Sequence, residues 1–108
     1  MTEIADPPSP IRDQPLPLVE HYDGNIDLTD SVELSVSLDR IVNHGGTVVL
    51  DMTTVEFLST SALSLLSRFG RSRRRSGLVT RVAAGPRLRR SLEISGVTDW
   101  ISAADHSV

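Results

Sequence analysis

Three consecutive hydroxyl residues, Ser59-Thr60-Ser61, interrupt the apolar stretch VEFLSTSALSLL at residues 55–66. A hydroxyl can attack an acyl or phosphoryl centre, cap a helix, or accept a phosphate from another enzyme. The neighbours argue against attack. A serine nucleophile on a strand-to-helix elbow needs flanking glycines, which let the turn tighten until the Oγ is exposed. Leu58 and Ala62 flank this triplet, and the three histidines, His21, His44 and His106, are not spaced to suggest a triad. No enzymatic activity is expected.

Capping is the simplest use. A Ser or Thr at the N-cap satisfies an orphan amide and contributes about 1 kcal/mol. One cap occupies one hydroxyl, however. The other two stand at a helix start, where free amides and the positive end of the dipole attract anions. A phosphate added there meets N–H donors and brings a charge of about −2 without melting the helix. A binding face can be reversed that way.

The rest of the chain bounds these options. Its 108 residues suffice for one domain with one modest core. Hydrophobic residues make up 39% but aromatics only 4%, so that core must be aliphatic. With no cysteine there are no disulfides, thiol nucleophiles or thiolate metal sites. The histidines lack ligand spacing, and neither a metal nor another cofactor is expected. The opening MTEIADPPSP is acidic and Pro-rich, unlike a signal peptide. The longest uncharged stretch, 57–67, is too short to span a bilayer, which takes about 20 residues. The expectation is a soluble cytoplasmic protein without membrane insertion.

Periodicity places the triplet among regular elements. Residues 1–15, with four of the six prolines, read as a flexible tail. Residues 16–102 read as the domain and 103–108 as a short C-terminal tail. Leu16–Tyr22 is a strand closed by the turn pair Asp23-Gly24. Thr29 or Asp30 caps a first helix reaching Asn43, with Leu34, Leu38, Ile41 and Val42 on one face. Thr47–Met52 reads as a buried core strand, and residues 53–58 as a link. A second helix opens among the hydroxyls and runs to Arg75, with Gly77 beyond it. Strand Leu78–Ala84 follows, then a third helix from Pro86 to Gly96 and a last strand at 97–101. Strands alternating with helices predict an α/β domain: a small mixed sheet of four or five strands flanked by three to four helices. Its predicted core centres on Val48–Leu50, with Leu34, Leu38, Leu63, Leu66 and Val82 packed against it.

TVVLDMTTVEFLSTSALSLL, residues 47–66, resembles the core segment of STAS domains, specifically of bacterial anti-sigma factor antagonists. That pattern is an apolar strand ending in Asp, a Val-x-Phe link, then Asp-Ser-Ser/Thr-Gly-Leu opening a helix. Gly24-Asn25-Ile26-Asp27 and the run from Gly85-Pro86 to Gly96-Val97 resemble flanking family segments in consistent order. The resemblance implies that Thr60 is the phosphorylated residue, with Ser59 and Ser61 as chemical alternatives. It also implies a partner-binding face comprising Asp27, Asp51, Leu58, Ser59, Ser61 and Ala62. The implied partner is an anti-sigma factor of the histidine-kinase-like ATPase fold, bound until phosphorylation ends the contact and so regulating transcription. The alternative is a STAS module that is never phosphorylated and serves as an adaptor in a transporter or larger signalling complex. Two positions depart from the pattern: Ser59 replaces the Asp, and Ala62 replaces the Gly. A third departure is N-terminal. Only one strand precedes Asp27, so the family's opening hairpin is truncated or drawn from the Pro-rich tail.

Charge is unevenly spread. Residues 1–56 hold 11 acids against Arg12 and Arg40, whereas residues 57–108 hold nine arginines against Glu93, Asp99 and Asp105. Arg68, Arg71, Arg73, Arg74 and Arg75 close the second helix, where cations suit the dipole and a solvated turn is expected. Arg87, Arg89 and Arg90 occupy the unfavourable end of the third helix, which predicts an acidic counterpart within the fold or on a partner. A net charge of −3 and dispersed aromatics argue against nucleic acid.

Overall fold

The computed structural model describes residues 16–105; the Pro-rich segment read as a tail lies outside them. Four strands, β1 (Leu18–Ile26), β2 (Val48–Leu58), β3 (Thr80–Ala84) and β4 (Ser102–Asp105), form one sheet in the order of the chain. All their pairings are parallel. Three helices, α1 (Ser31–Ile41), α2 (Thr60–Arg75) and α3 (Pro86–Ile94), connect them. Each crossover steps the same way along the sheet, and such crossovers are right-handed, so the three helices fall on one face. That accounts for β2. Val48, Leu50 and Met52 are buried, whereas Val49 and Asp51 between them are only partly so. Thr47–Met52 is therefore not covered on both faces as its unbroken apolar run suggested.

The strands reach further than expected. Residues 53–58 are not a link but the second half of β2, and β1 continues through Asp23-Gly24 to Ile26. The two strands stay paired because β2 carries an extra residue at each of two register shifts, between His21 and Asp23 and between Gly24 and Asn25. Each extra residue flips the pleat. Burial along β2 accordingly moves from Met52 to Val55 to Leu58. Gly24, with φ +73°, supplies the left-handed residue that β1 needs there.

Leu34, Leu38, Leu66 and Val82 join the core as predicted, with Val97 and Ile101 completing it. Leu63 is only partly buried, because it lies to the side of the buried Ala62–Leu66–Phe69 face of α2 and lines an open surface depression. The expected strand at 97–101 is a 3-10 turn, Val97–Asp99, and the last strand falls at 102–105. Gly96, at φ +86°, starts that turn, whose packed residues Val97 and Ile101 mimic an apolar strand in the sequence. Gly70 explains the close seating of α2 on this corner. A Cβ there would lie 2.5 Å from Ile101 Cγ1.

Candidate functional site

The end of β1 and the start of α2 are joined by a backbone bond, Ser59 N–H to the Ile26 carbonyl at 2.9 Å. Asp27 and the hydroxyl triplet therefore sit at the same end of the sheet, beyond the carboxyl ends of β1 and β2. Open α/β sheets place their binding sites at this end.

Within the triplet the three hydroxyls divide their roles. Ser59 is the N-cap, in extended conformation, and its Oγ accepts the Ala62 N–H at 3.1 Å. Its carbonyl accepts the Leu63 N–H at 2.9 Å. Thr60, the first helical residue, is exposed, and Ser61 is half-buried. Neither hydroxyl bonds to another described residue. The amides of Thr60 and Ser61 lie in the first turn, where no helical carbonyl reaches them. One hydroxyl is thus committed to structure, and the exposed one stands beside open donors.

The other predicted site residues are distributed unevenly. Ala62 is fully buried and Leu58 nearly so, so both support the start of α2 from beneath and present no side chain to a partner. The Cβ that Ala62 adds relative to the family's Gly points into the core. Asp27 is exposed and organises the entry to α1. Its Oδ1 accepts the Thr29 N–H at 2.9 Å, the Thr29 hydroxyl at 2.7 Å and the Asp30 N–H at 3.2 Å. These bonds, the Thr29 hydroxyl foremost, hold its carboxyl below the usual carboxylate range. Asp30 occupies the cap position of α1 but makes no cap bond; Asp27 instead closes the turn at residues 27–30 that leads into the helix.

Asp51 is not brought to the triplet. Because β2 continues to Leu58, Asp51 lies about 20 Å along the strand from that end. Its Oδ1 accepts the Thr53 hydroxyl at 2.7 Å and the Thr53 N–H at 3.1 Å, closing the first bulge. Its Oδ2 pairs with His21 Nδ1 at 2.7 Å across the β1–β2 register. The Thr53 hydroxyl, then its amide and His21, hold the Asp51 carboxyl below its ordinary value.

The arginines depart furthest from expectation. Arg73, read as part of a solvated turn, is 1% exposed. Its Nε donates to Thr80 Oγ1 at 2.7 Å. Nη1 donates to the carbonyls of Val42 and His44, and Nη2 to those of Gly46 and Val79, at 2.7–3.2 Å. All five guanidinium donors are used, binding the α1–β2 loop to the start of β3. Arg71 and Arg74 stack on Trp100 at 5.1 and 5.7 Å. Arg87 and Arg90 are exposed and make no ion pair among the described residues.

Periodicity in the sequence also carried an unread signal. Leu28, Val32 and Val36, four residues apart, are 68%, 68% and 62% exposed. They form an outward apolar stripe opposite the Leu34–Leu38–Ile41 face.

Comparison with known proteins is consistent with this geometry. No curated protein matches the sequence. Among solved structures, SpoIIAA of Bacillus, a cell fate determinant in its phosphorylated form, superposes with a TM-score of 0.62 at 16% identity, over 82% of each chain. SpoIIAA unphosphorylated, an anti-sigma factor antagonist, gives 0.60 at 14% over 72% of this chain and 74% of that one. A sulfate transporter family protein from Wolinella succinogenes gives 0.70 at 19% identity over 94% and 87%. At such identities these likenesses speak for the fold alone. The STAS domain family itself matches residues 9–107, almost the whole chain, and this protein belongs to it.

Proposed function

We propose that this domain is an anti-sigma factor antagonist, a cytoplasmic binding module and not an enzyme. It binds an anti-sigma factor of the histidine-kinase-like ATPase fold and loses that partner when Thr60 is phosphorylated. One observation carries the reading: Thr60 is an exposed hydroxyl at the first residue of α2, while Ser59 alone holds the cap. Phosphorylation of Thr60 therefore leaves the cap in place and sets the phosphate beside the free amides of the first turn. Ser59 and Ser61 flank the acceptor in the chain, and Asp27 lies at the same end of the sheet. Leu58 and Ala62 fix its position from the core, and Asp51 contributes through the bulge that carries β2 to this end. A phosphate on a docking surface suited to a neutral hydroxyl must be desolvated against an unprepared partner. That costs several kcal/mol, roughly a hundredfold or more in affinity.

A second reading has its own support. Ser59 replaces the carboxylate that the antagonist pattern places before the acceptor, and the transporter-family structure covers more of this chain than SpoIIAA does. In that reading the same face serves a larger assembly constitutively, without phosphorylation. Incubation with the cognate anti-sigma kinase and ATP, followed by intact mass and site mapping, separates the two. Phosphate on Thr60, absent in Thr60→Ala, with Thr60→Glu binding at least a hundredfold more weakly, is the expected result. Stable binding with no phosphate on Ser59, Thr60 or Ser61 would favour the adaptor.

A further inference from the structure

The stripe Leu28, Val32 and Val36 lies beside a groove between α1 and α2. One end of the groove, about 360 Å³, is lined by Val32, Ser35, Ser64, Leu65 and Arg68 among others, and Thr60 borders it. The other end, about 320 Å³, is floored by Leu38, Leu65 and Phe69 and edged by Asp39, which makes no ion pair with Arg68. Ser35, Leu65 and Arg68 line both, so the two are continuous. Across α2 a further depression of about 550 Å³ is lined by Leu63, Ser64, Ser67, Arg68 and Arg71, and by no carboxylate. Arg68 borders all three spaces, yet makes no hydrogen bond or ion pair among the described residues. Arg71 is held in place by its stacking on Trp100.

We propose that this outer face of α1 and α2 is a docking surface for an acidic amphipathic segment of a partner protein. Apolar side chains of the segment cover Val32 and Val36, and its carboxylates meet Arg68 and Arg71. Charge complementarity selects this occupant. A cation without a counterion beside a hydroxyl-lined trough suits carboxylates, which guanidinium binds through two parallel bonds. The adjoining stripe requires apolar side chains as well, and a helix or extended segment of mixed character offers both. Nucleic acid would satisfy the arginines while leaving Val32 and Val36 in water. The surface adjoins Thr60, but the inference goes beyond the Thr60 reading, because it concerns the outer flank of α1 and α2 and requires neither a kinase nor a phosphate.

The test is selection of a displayed library of random 12-residue peptides against the full-length, unmodified protein, with no kinase or ATP present. Enrichment of Asp and Glu among Leu, Ile and Phe is expected. The best synthetic peptide should lose at least tenfold in affinity with Arg68→Glu and again with Val32→Asp, and should weaken between 50 and 300 mM salt. Both residues are at the surface, and circular dichroism confirms that the variants fold. Lysine- and arginine-rich winners, no enrichment, or unchanged affinity in both variants would overturn the proposal. So would a 12-base-pair duplex that displaces the peptide, or sedimentation showing a dimer that Val32→Asp dissolves.

Discussion

The two ends of α2 are equally polar in sequence, STS at one and RSRRR at the other, yet the structure treats them oppositely. At the N-terminal end a polar side chain acts locally. Ser59 caps the helix it begins, and Thr60 is left to solvent. At the C-terminal end a polar side chain acts at long range. Arg73 turns inward and ties residues 42–46 to residues 79 and 80. Polarity alone therefore does not predict exposure. A side chain with five donors can be buried when enough carbonyls converge on it, whereas a hydroxyl at a helix start has its partner within three residues.

The largest test of this contrast is Arg73→Met. It removes the clamp and strands buried acceptors of two loops, so we expect a loss of at least about 3 kcal/mol. For a domain whose whole stability is about 5–15 kcal/mol that loss is severe, and urea unfolding followed by circular dichroism should show it. Arg73→Lys should recover only part, since three donors cannot serve five acceptors. Between the two ends, Gly70→Ala probes what holds the helix down. Alanine gains about 1 kcal/mol in helix propensity, but its Cβ would sit 2.5 Å from Ile101 and 2.9 Å from Trp100 Cβ. Overpacking costs about 1–3 kcal/mol, so the net change should be destabilising, with a lower urea midpoint.

Ser59→Ala isolates the local role. Losing one cap costs about 1 kcal/mol, which for a domain of this size lowers the melting temperature by about 4–8 °C. Neither end of α2 relies on a carboxylate, so acid sensitivity must come from elsewhere. Asp51 and Asp27 have folded values below their unfolded ones. Their contribution is present above about pH 4 and is lost as pH falls through the lowered folded values. Asp51→Asn should therefore flatten the decline of melting temperature below about pH 4 and leave its trend at neutral pH unchanged. The smallest effect belongs to Thr60→Ala. An exposed hydroxyl with no partner among the described residues should alter stability by no more than about 0.5 kcal/mol, measured by the same melts.

Much of the fold was legible in the sequence because its signals are local. Hydrophobic spacing located α1 through Leu34, Leu38 and Ile41, and Pro86 marked the first residue of α3. The hydroxyls marked the start of α2 and Gly77 its end, where the Gly77 and Leu78 amides close on the carbonyls of Arg74 and Arg73. That one hydroxyl of the triplet caps the helix follows from the same short-range chemistry, whereas which one does so, Ser59, is seen only in the structure. What remained hidden depends on residues distant in the chain. The two bulges of β2 exist only against β1, and they decide that Asp51 stands mid-strand and not at the strand's end. Arg73 is buried because carbonyls from residues 42, 44, 46 and 79 converge on it, which no spacing within RSRRR records. The stripe Leu28–Val32–Val36 has the same period as the core face of α1. Only the packing of α2 and the sheet decided which of the two would face water.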